Sequence, residues 1–216
     1  MGKLNMGILG GFSGAVGTVV GSSNKKGEDI IRARSRKRRS ESSEGQVIQQ
    51  TKFGITTGFL QGLNPVVRTG LKLVSDAANM SAFNYACRHA LKNAVTGTET
   101  APELDYSKII ISDGDLSRIP GATAVKEANS MKFSWSDVLT GPGAITDKVA
   151  LVVYNVTNGE LSYSMGDILR SAKTATLALP YSETGDKLLS YLFFQDAANP
   201  FIVSTSQYLG AVTLTE

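Results

Sequence analysis

The stretch Val149-Ala-Leu-Val-Val-Tyr-Asn-Val-Thr-Asn-Gly-Glu-Leu-Ser-Tyr163 decides the fold of this chain. An apolar run ends at Tyr154, Asn158-Gly159 follows, and a second apolar stretch starts at Leu161. Asn and Gly tolerate the positive φ of tight turns, so the stretch reads as a β-hairpin. Working outward, Tyr106-Ser-Lys-Ile-Ile-Ile111 is rich in β-branched residues and reads as a strand. Met131-Lys-Phe-Ser-Trp135 alternates, with apolar side chains on one face. Thr174 to Leu179 precedes Pro180, and Leu188–Phe194 and Phe201–Val212 complete the set. About seven short strands over roughly 110 residues, divided by turn signals, predict an antiparallel β-sandwich over residues 105–216.

Residues 47–98 have a different period. Phe83, Ala86, Cys87, Ala90, Leu91, Ala94 and Val95 fall on one helical face. Ser81 or Asn79 is placed to cap that helix, and Gly97 to stop it. Phe53, Phe59, Leu60 and Leu63 suggest an earlier helix that Asn64-Pro65 ends or kinks. Val66, Val67, Leu71 and Val74 suggest another short one. The predicted class is therefore α+β, with a small helical segment ahead of the strands.

Residues 1–46 are different again. The first 24 hold seven glycines and no acid. Interior glycine disfavours helix by roughly 1 kcal/mol per residue. Val16–Val20, a Ser-Ser-Asn-Lys-Lys-Gly loop and Asp29–Arg34 read as a hairpin with little side-chain mass. Lys25, Lys26, Arg32, Arg34, Arg36, Lys37, Arg38 and Arg39 follow, with only Glu28 and Asp29 opposing them up to residue 39. The net charge of +3 thus hides a basic arm on a mildly acidic body. Repulsion within the cluster favours an extended chain until an anion neutralises it. Phosphates would do so by counterion release, without sequence preference. No aromatic residue interleaves the run, which argues against base stacking. Acids on a neighbouring subunit are the alternative partner. Gly10, Gly11, Phe12, Gly14 and Gly17 are assigned to the same assembly arm, where small residues permit close backbone packing. The glycine run lacks the Gly-Lys-Ser/Thr ending of a P-loop.

The strand pattern resembles a fibronectin type III or immunoglobulin-like module. The residues that carry it are Phe133-Ser-Trp135, Val152-Val-Tyr154, Leu179-Pro180, Tyr191 and Tyr208-Leu-Gly210. The resemblance implies that the tryptophan and tyrosines form the core between two sheets. A wider resemblance, to a domain-of-unknown-function family of Bacteroidota proteins, spans nearly the whole chain. It rests on Gly7–Gly21, Ser81-Ala-Phe-Asn84, Lys92–Gly97, Asp105-Tyr-Ser-Lys108, Asp147-Lys148, Val153-Tyr-Asn155 and Tyr208-Leu-Gly210. It implies a shared fold and supplies no activity.

One cysteine, Cys87, and one histidine, His89, leave no disulfide framework and no cysteine-rich or multi-histidine metal site. Cys87 lies on the helical stripe and reads as core. Asp113-Gly-Asp115 reads as a turn rather than a calcium site, which needs about six to eight oxygens. Tyr154, Tyr163, Tyr181, Tyr191 and Tyr208 could line an aromatic surface, but their strand positions favour core packing for Tyr154 and Tyr191. No serine has a readable base and orienter. An enzyme would need Asp105, Asp113, Glu160 and Asp167 to converge. No stretch reaches the ~18 apolar residues of a membrane span, and Met6–Val20 lacks the basic start of a secretory signal.

The expectation is a non-enzymatic, oligomeric structural protein with no cofactor and no metal. Its partners would be copies of itself, other structural subunits, or nucleic-acid phosphates. The most concrete version is a capsid or tail component of a Bacteroidota phage, located in the virion. Otherwise the location is the cytoplasm or cell envelope, and the alternative role is an envelope module that binds a glycan or protein through sandwich loops.

Overall fold

The computed structural model describes residues 3–4, 12–23, 28–35, 42–99, 101–136, 138–139 and 141–215. The chain divides into two compact units, Met1–Ser43 and Glu44–Glu216.

The first unit is an antiparallel sheet of β1 (Lys3–Leu4), β2 (Phe12–Val16), β3 (Val19–Ser23) and β4 (Asp29–Ala33), paired in that order. The expected strand Val16–Val20 is instead divided by a turn. Gly17 adopts φ +56°, so the chain reverses over Gly17-Thr18 and pairs Val16 with Val19. Strand β3 pairs antiparallel with β4, with Val20 opposite Arg32 and Ser23 opposite Asp29. Gly21 is where packing is tightest. A Cβ there would fall 2.1 Å from the Phe12 carbonyl oxygen and 2.8 Å from its ring.

The second unit opens with helices α1 (Glu44–Gly62), α2 (Asn64–Gly70), α3 (Lys72–Ala77) and α4 (Ala82–Asn93). Pro65 sits in the first turn of α2, where a missing N–H costs nothing. Ser81 caps α4, its Oγ accepting from the Asn84 N–H at 3.2 Å. Gly97 does not stop that helix. Helix α4 ends at Asn93, and Gly97, at φ +84°, closes a small hairpin of β5 (Val95–Gly97) with β6 (Pro102–Leu104).

Strand formation over 106–111 is a second correction. The Asp105 carboxylate accepts from the Ser107 N–H at 3.1 Å and from its hydroxyl at 2.5 Å. This Asx-type capping turns Tyr106–Lys108 into one 3-10 turn. Ile109 and Ile111 are then buried without joining a sheet. The last predicted strand is also shorter than expected, because Phe201–Ser206 is mostly loop.

The sheet strands are β7 (Thr123–Glu127), β8 (Ser130–Ser134), β9 (Lys148–Asn155), β10 (Leu161–Leu169), β11 (Thr174–Ala178), β12 (Lys187–Gln195) and β13 (Gln207–Thr213). They form one sheet ordered β11-β8-β7 and another ordered β10-β9-β12-β13, all pairs antiparallel. Gly159, at φ +79°, closes the β9–β10 connection by donating to the Asn155 carbonyl at 2.9 Å.

Side-chain alternation assigns the two faces of β9 to two cores. Val149, Leu151 and Val153 pack with Met131, Phe133, Trp135, Leu192 and Phe194 between the sheets. Ala150, Val152 and Tyr154 pack with Tyr191, Phe193 and the helical residues Phe59, Leu60, Leu63, Val66, Ala86 and Ala90. The four-stranded sheet is thus a middle layer, with helices on one face and the smaller sheet on the other. Burial on both faces explains why β9 and β12 read as near-continuous apolar runs. Each such side chain taken fully from water stabilises by about 1.5–3 kcal/mol.

Candidate functional site

Of the residues assigned to the basic arm, Arg32 and Arg34 are described. Lys25, Lys26, Arg36, Lys37, Arg38 and Arg39 lie outside the described residues, as do Gly10 and Gly11. Phe12 is half-buried on Gly21, Gly14 has φ +107°, and Gly17 makes the turn above. Every residue from Glu28 to Ser35 is exposed, and Gly21 is the one buried residue among those described up to Ser43. The apolar side chains of β4 face water, with Ile30 45% and Ile31 65% exposed. Strand alternation puts Ile30 and Arg32 on one face of the sheet, and Asp29, Ile31 and Ala33 on the other.

A separate site appears in the second unit. A cleft of about 560 Å³ lies between α1, β6, the 3-10 turn and the β9–β10 connection. Phe59 stacks 5.3 Å from Tyr106 and meets Tyr154 edge-on at 5.2 Å. The Lys187 ammonium stands 5.0 Å over the Tyr106 ring. Glu103, Gly58 and Gly159 complete the walls. Gly62 is required beneath Tyr154, since a Cβ there would fall 2.6 Å from its hydroxyl. Behind the cleft, the Tyr191 hydroxyl donates to the Tyr106 carbonyl at 3.0 Å, and Tyr208 lies 5.3 Å from Tyr191. Burial raises the pKa of Tyr106, Tyr154, Tyr191 and Tyr208 above the usual phenol value, so all four are neutral donors at ordinary pH. The cleft can offer aromatic surface, phenolic hydroxyls, one cation and one carboxylate. Tyr163 and Tyr181 are exposed and line no part of it.

The wall carrying Gly159 and Lys187 is held by a buried polar knot. The Asn155 amide donates to Asp186 Oδ2 at 2.7 Å, and the same oxygen accepts from the Glu183 N–H at 2.9 Å. These bonds hold the Asp186 carboxyl below the usual carboxylate range.

A third cluster surrounds Arg170, whose side chain is 0% exposed. Its Nη1 lies 3.2 Å from Asp147 Oδ2, its Nη2 donates to the Ser117 carbonyl, and its guanidinium sits 3.9 Å from the Phe194 ring centroid. Trp135 Nε1 donates to the Arg170 carbonyl at 2.8 Å. Desolvation lowers the Arg170 pKa while Asp147 raises it.

Three of the four acids considered for catalysis have side-chain partners of their own. Asp105 binds Ser107 and Lys108, Asp113 accepts from Thr205 at 3.0 Å, and Asp167 accepts from Ser164 at 3.1 Å. No group of three or more metal-ligating side chains occurs among the described residues. Cys87 is buried in the helical core, where burial raises its thiol pKa. Among the described residues no helix is long and apolar enough to cross a membrane.

A family model described as a family of unknown function, DUF6266, matches residues 11–210. The chain belongs to that family. The match runs from the start of β2 into β13, so it takes in both units. No curated protein and no solved structure matches the chain.

The sequence reading singled out the arm and missed the cleft and the Arg170 cluster. Phe59, Tyr106, Tyr154 and Lys187 meet only through tertiary packing. Asp147 and Arg170 are 23 positions apart, with no local signal to link them.

Proposed function

We propose that this protein is a non-enzymatic structural subunit of an ordered assembly, most concretely a virion component, capsid or tail, of a Bacteroidota phage or prophage. Residues 1–43 act as its glycine-rich, basic assembly arm and dock on a neighbouring subunit or on nucleic-acid phosphates. The observation that carries this reading is the sheet of the first unit. Among the residues whose burial is described there, Gly21 alone is buried, while Val16, Ile30 and Ile31 stay in water. At about 25 cal/mol per Å², such a sheet gains its missing stabilisation only from a surface laid against it.

The reading also takes residues 123–213 as a fibronectin type III-like sandwich. In chain order the seven strands split as first-second-fifth and third-fourth-sixth-seventh. That is the division expected of such a module. The helices on its four-stranded face would be an addition to it, and a domain of this kind serves as a rigid bearing element.

Light scattering of the full chain and of residues 44–216 tests the reading. The full chain is expected to form oligomers and to bind duplex DNA with an affinity that falls steeply with salt, and the shortened chain to do neither. Monomers in both, with no salt-dependent binding, would overturn it.

A second reading is a cell-envelope module that binds a glycan or protein. The aromatic cleft favours it, because Gly159 and Lys187 lie in or beside loops at one end of the sheets. Cell fractionation separates the two readings.

A further inference from the structure

We propose that β4 is a self-complementary edge, which pairs antiparallel with β4 of a second copy in a register centred on Ile31. The inference deepens the assembly reading and rests on it.

Hydrogen-bond direction decides which backbone groups of β4 are open to a second strand. Among the described residues, strand β4 has a neighbour on one side only, β3. The Arg34 N–H donates to the Thr18 carbonyl at 2.7 Å, on the β3 side. In an antiparallel ladder, facing residues alternate between bonded and non-bonded pairs. Arg32 and Ile30 therefore also turn their backbone groups toward β3. Asp29, Ile31 and Ala33 turn theirs to the free edge. An exposed edge that lacks proline, lysine or a bulge is a template for another strand.

Symmetry then selects the occupant and the register. Two identical antiparallel strands are related by a two-fold axis perpendicular to the sheet, so each residue keeps its face. Bonded pairs must join outward-pointing residues. The register with Ile31 opposite Ile31 places Asp29 opposite Ala33 at both ends, and all three outward residues bond. A register centred on Ile30 leaves Ala33 without an Asp29 or Ile31 partner. The Ile31 register also sets Glu28 across from Arg34 and Ile30 beside the Arg32 stem. Opposite charges across strands are favourable, and long cationic stems cover apolar surface. The product is one continuous sheet through two copies, with the exposed side chains of Ile30 and Ile31 partly covered.

Sedimentation velocity and non-reducing gels on the full chain test this. Ile31→Pro deletes an N–H that β3 does not use, so the β3–β4 ladder survives and self-association is expected to weaken about tenfold or more. Ile31→Cys is expected to cross-link two copies on mild oxidation, because a bonded pair holds its Cα atoms about 5.5 Å apart, inside the disulfide range. Ile30→Cys is expected not to, since its counterpart is displaced about 7 Å along the strand as well as across it. The wild type, with Cys87 buried, serves as the control. Assembly unchanged by Ile31→Pro overturns the β4 pairing and leaves the assembly reading standing on another surface. Cross-linking through residue 30 in place of 31 overturns the register. A wild type that stays monomeric overturns the pairing, and overturns the assembly reading as well when salt-dependent binding to DNA is also absent.

Discussion

Replacing Arg170 by methionine removes the guanidinium and leaves Asp147 buried. In the wild type Asp147 Oδ2 receives Arg170 Nη1 at 3.2 Å and the Ala144 N–H at 2.8 Å. The variant keeps only the second bond, loses the guanidinium bond to the Ser117 carbonyl and loses the cation over Phe194. Breaking one side of a buried ion pair costs about 3–5 kcal/mol, mostly through the charge left behind. With a urea m-value of about 2–3 kcal/mol per M, the unfolding midpoint should drop by about 1–2.5 M. The matching double variant, Asp147→Leu with Arg170→Met, removes the orphaned charge and fills the space with apolar atoms. It is expected to recover most of the loss, because a buried pair often does no better than its hydrophobic replacement. Intrinsic fluorescence follows the transition well, since Trp135 donates to the Arg170 carbonyl. A single variant that unfolds within about 0.3 M of wild type would refute the reasoning. So would a double variant as unstable as the single one, which would show that Arg170 acts through shape and not charge.

Gly62→Ala should destabilise by about 1–3 kcal/mol, as its Cβ collides with the Tyr154 ring. Gly58→Ala, with open space around it in the same helix, should stabilise by about 0.5–1 kcal/mol. Thermal melts of the two decide this. Ser81→Ala removes the cap on α4 and should cost about 1 kcal/mol, read as a lower melting temperature. His89 has its pKa lowered, first by burial, with Asp113 opposing and Lys92 assisting. The folded state therefore binds the proton less readily than the unfolded one. Its stabilising share is present above pH 6.5 and is lost as pH falls through the lower folded value. Between pH 7.5 and pH 5, wild type should lose more melting temperature than His89→Gln. Equal losses would remove His89 from the account.

The strands that the sequence revealed are those whose neighbours left a pattern. Strand β8 shows alternation because one face packs and the other does not, with Met131 and Phe133 inward. Strands β9 and β12 show unbroken apolar runs for the opposite reason, with a helical layer on their second face. That layer was the information in Val149–Tyr154, beyond strand propensity. Strand β7 passed unnoticed because Thr123-Ala-Val-Lys-Glu127 is exposed at alternate positions and buries nothing fully. The 106–111 segment has β-branched residues, yet a single carboxylate at Asp105 outweighs them locally. Helix α4 was legible through its stripe and its cap, while its end was not. Gly97 looked like a stop signal, but the helix ends four residues earlier so that Val95–Gly97 can pair with β6. The cleft and the Arg170 cluster rest on pairs far apart in sequence, which no local pattern records.

The two units meet opposite physical demands. In the second, the central strands β9 and β12 are buried on both faces, and the Asp147–Arg170 ion pair is buried with them. In the first, among the described residues, Gly21 permits a tight contact with Phe12, and the larger apolar side chains of β4 remain in water. The family match includes β2 to β4 together with the core strands, so the thin sheet is part of the shared design and not an appendage to it. On the assembly reading this division is functional. A self-sufficient body carries the load, and a sheet that cannot close on itself supplies the joint. Glycine suits such a joint because it lets another backbone approach closely. The cations beside it suit a joint that must stay soluble and unpaired until its partner arrives.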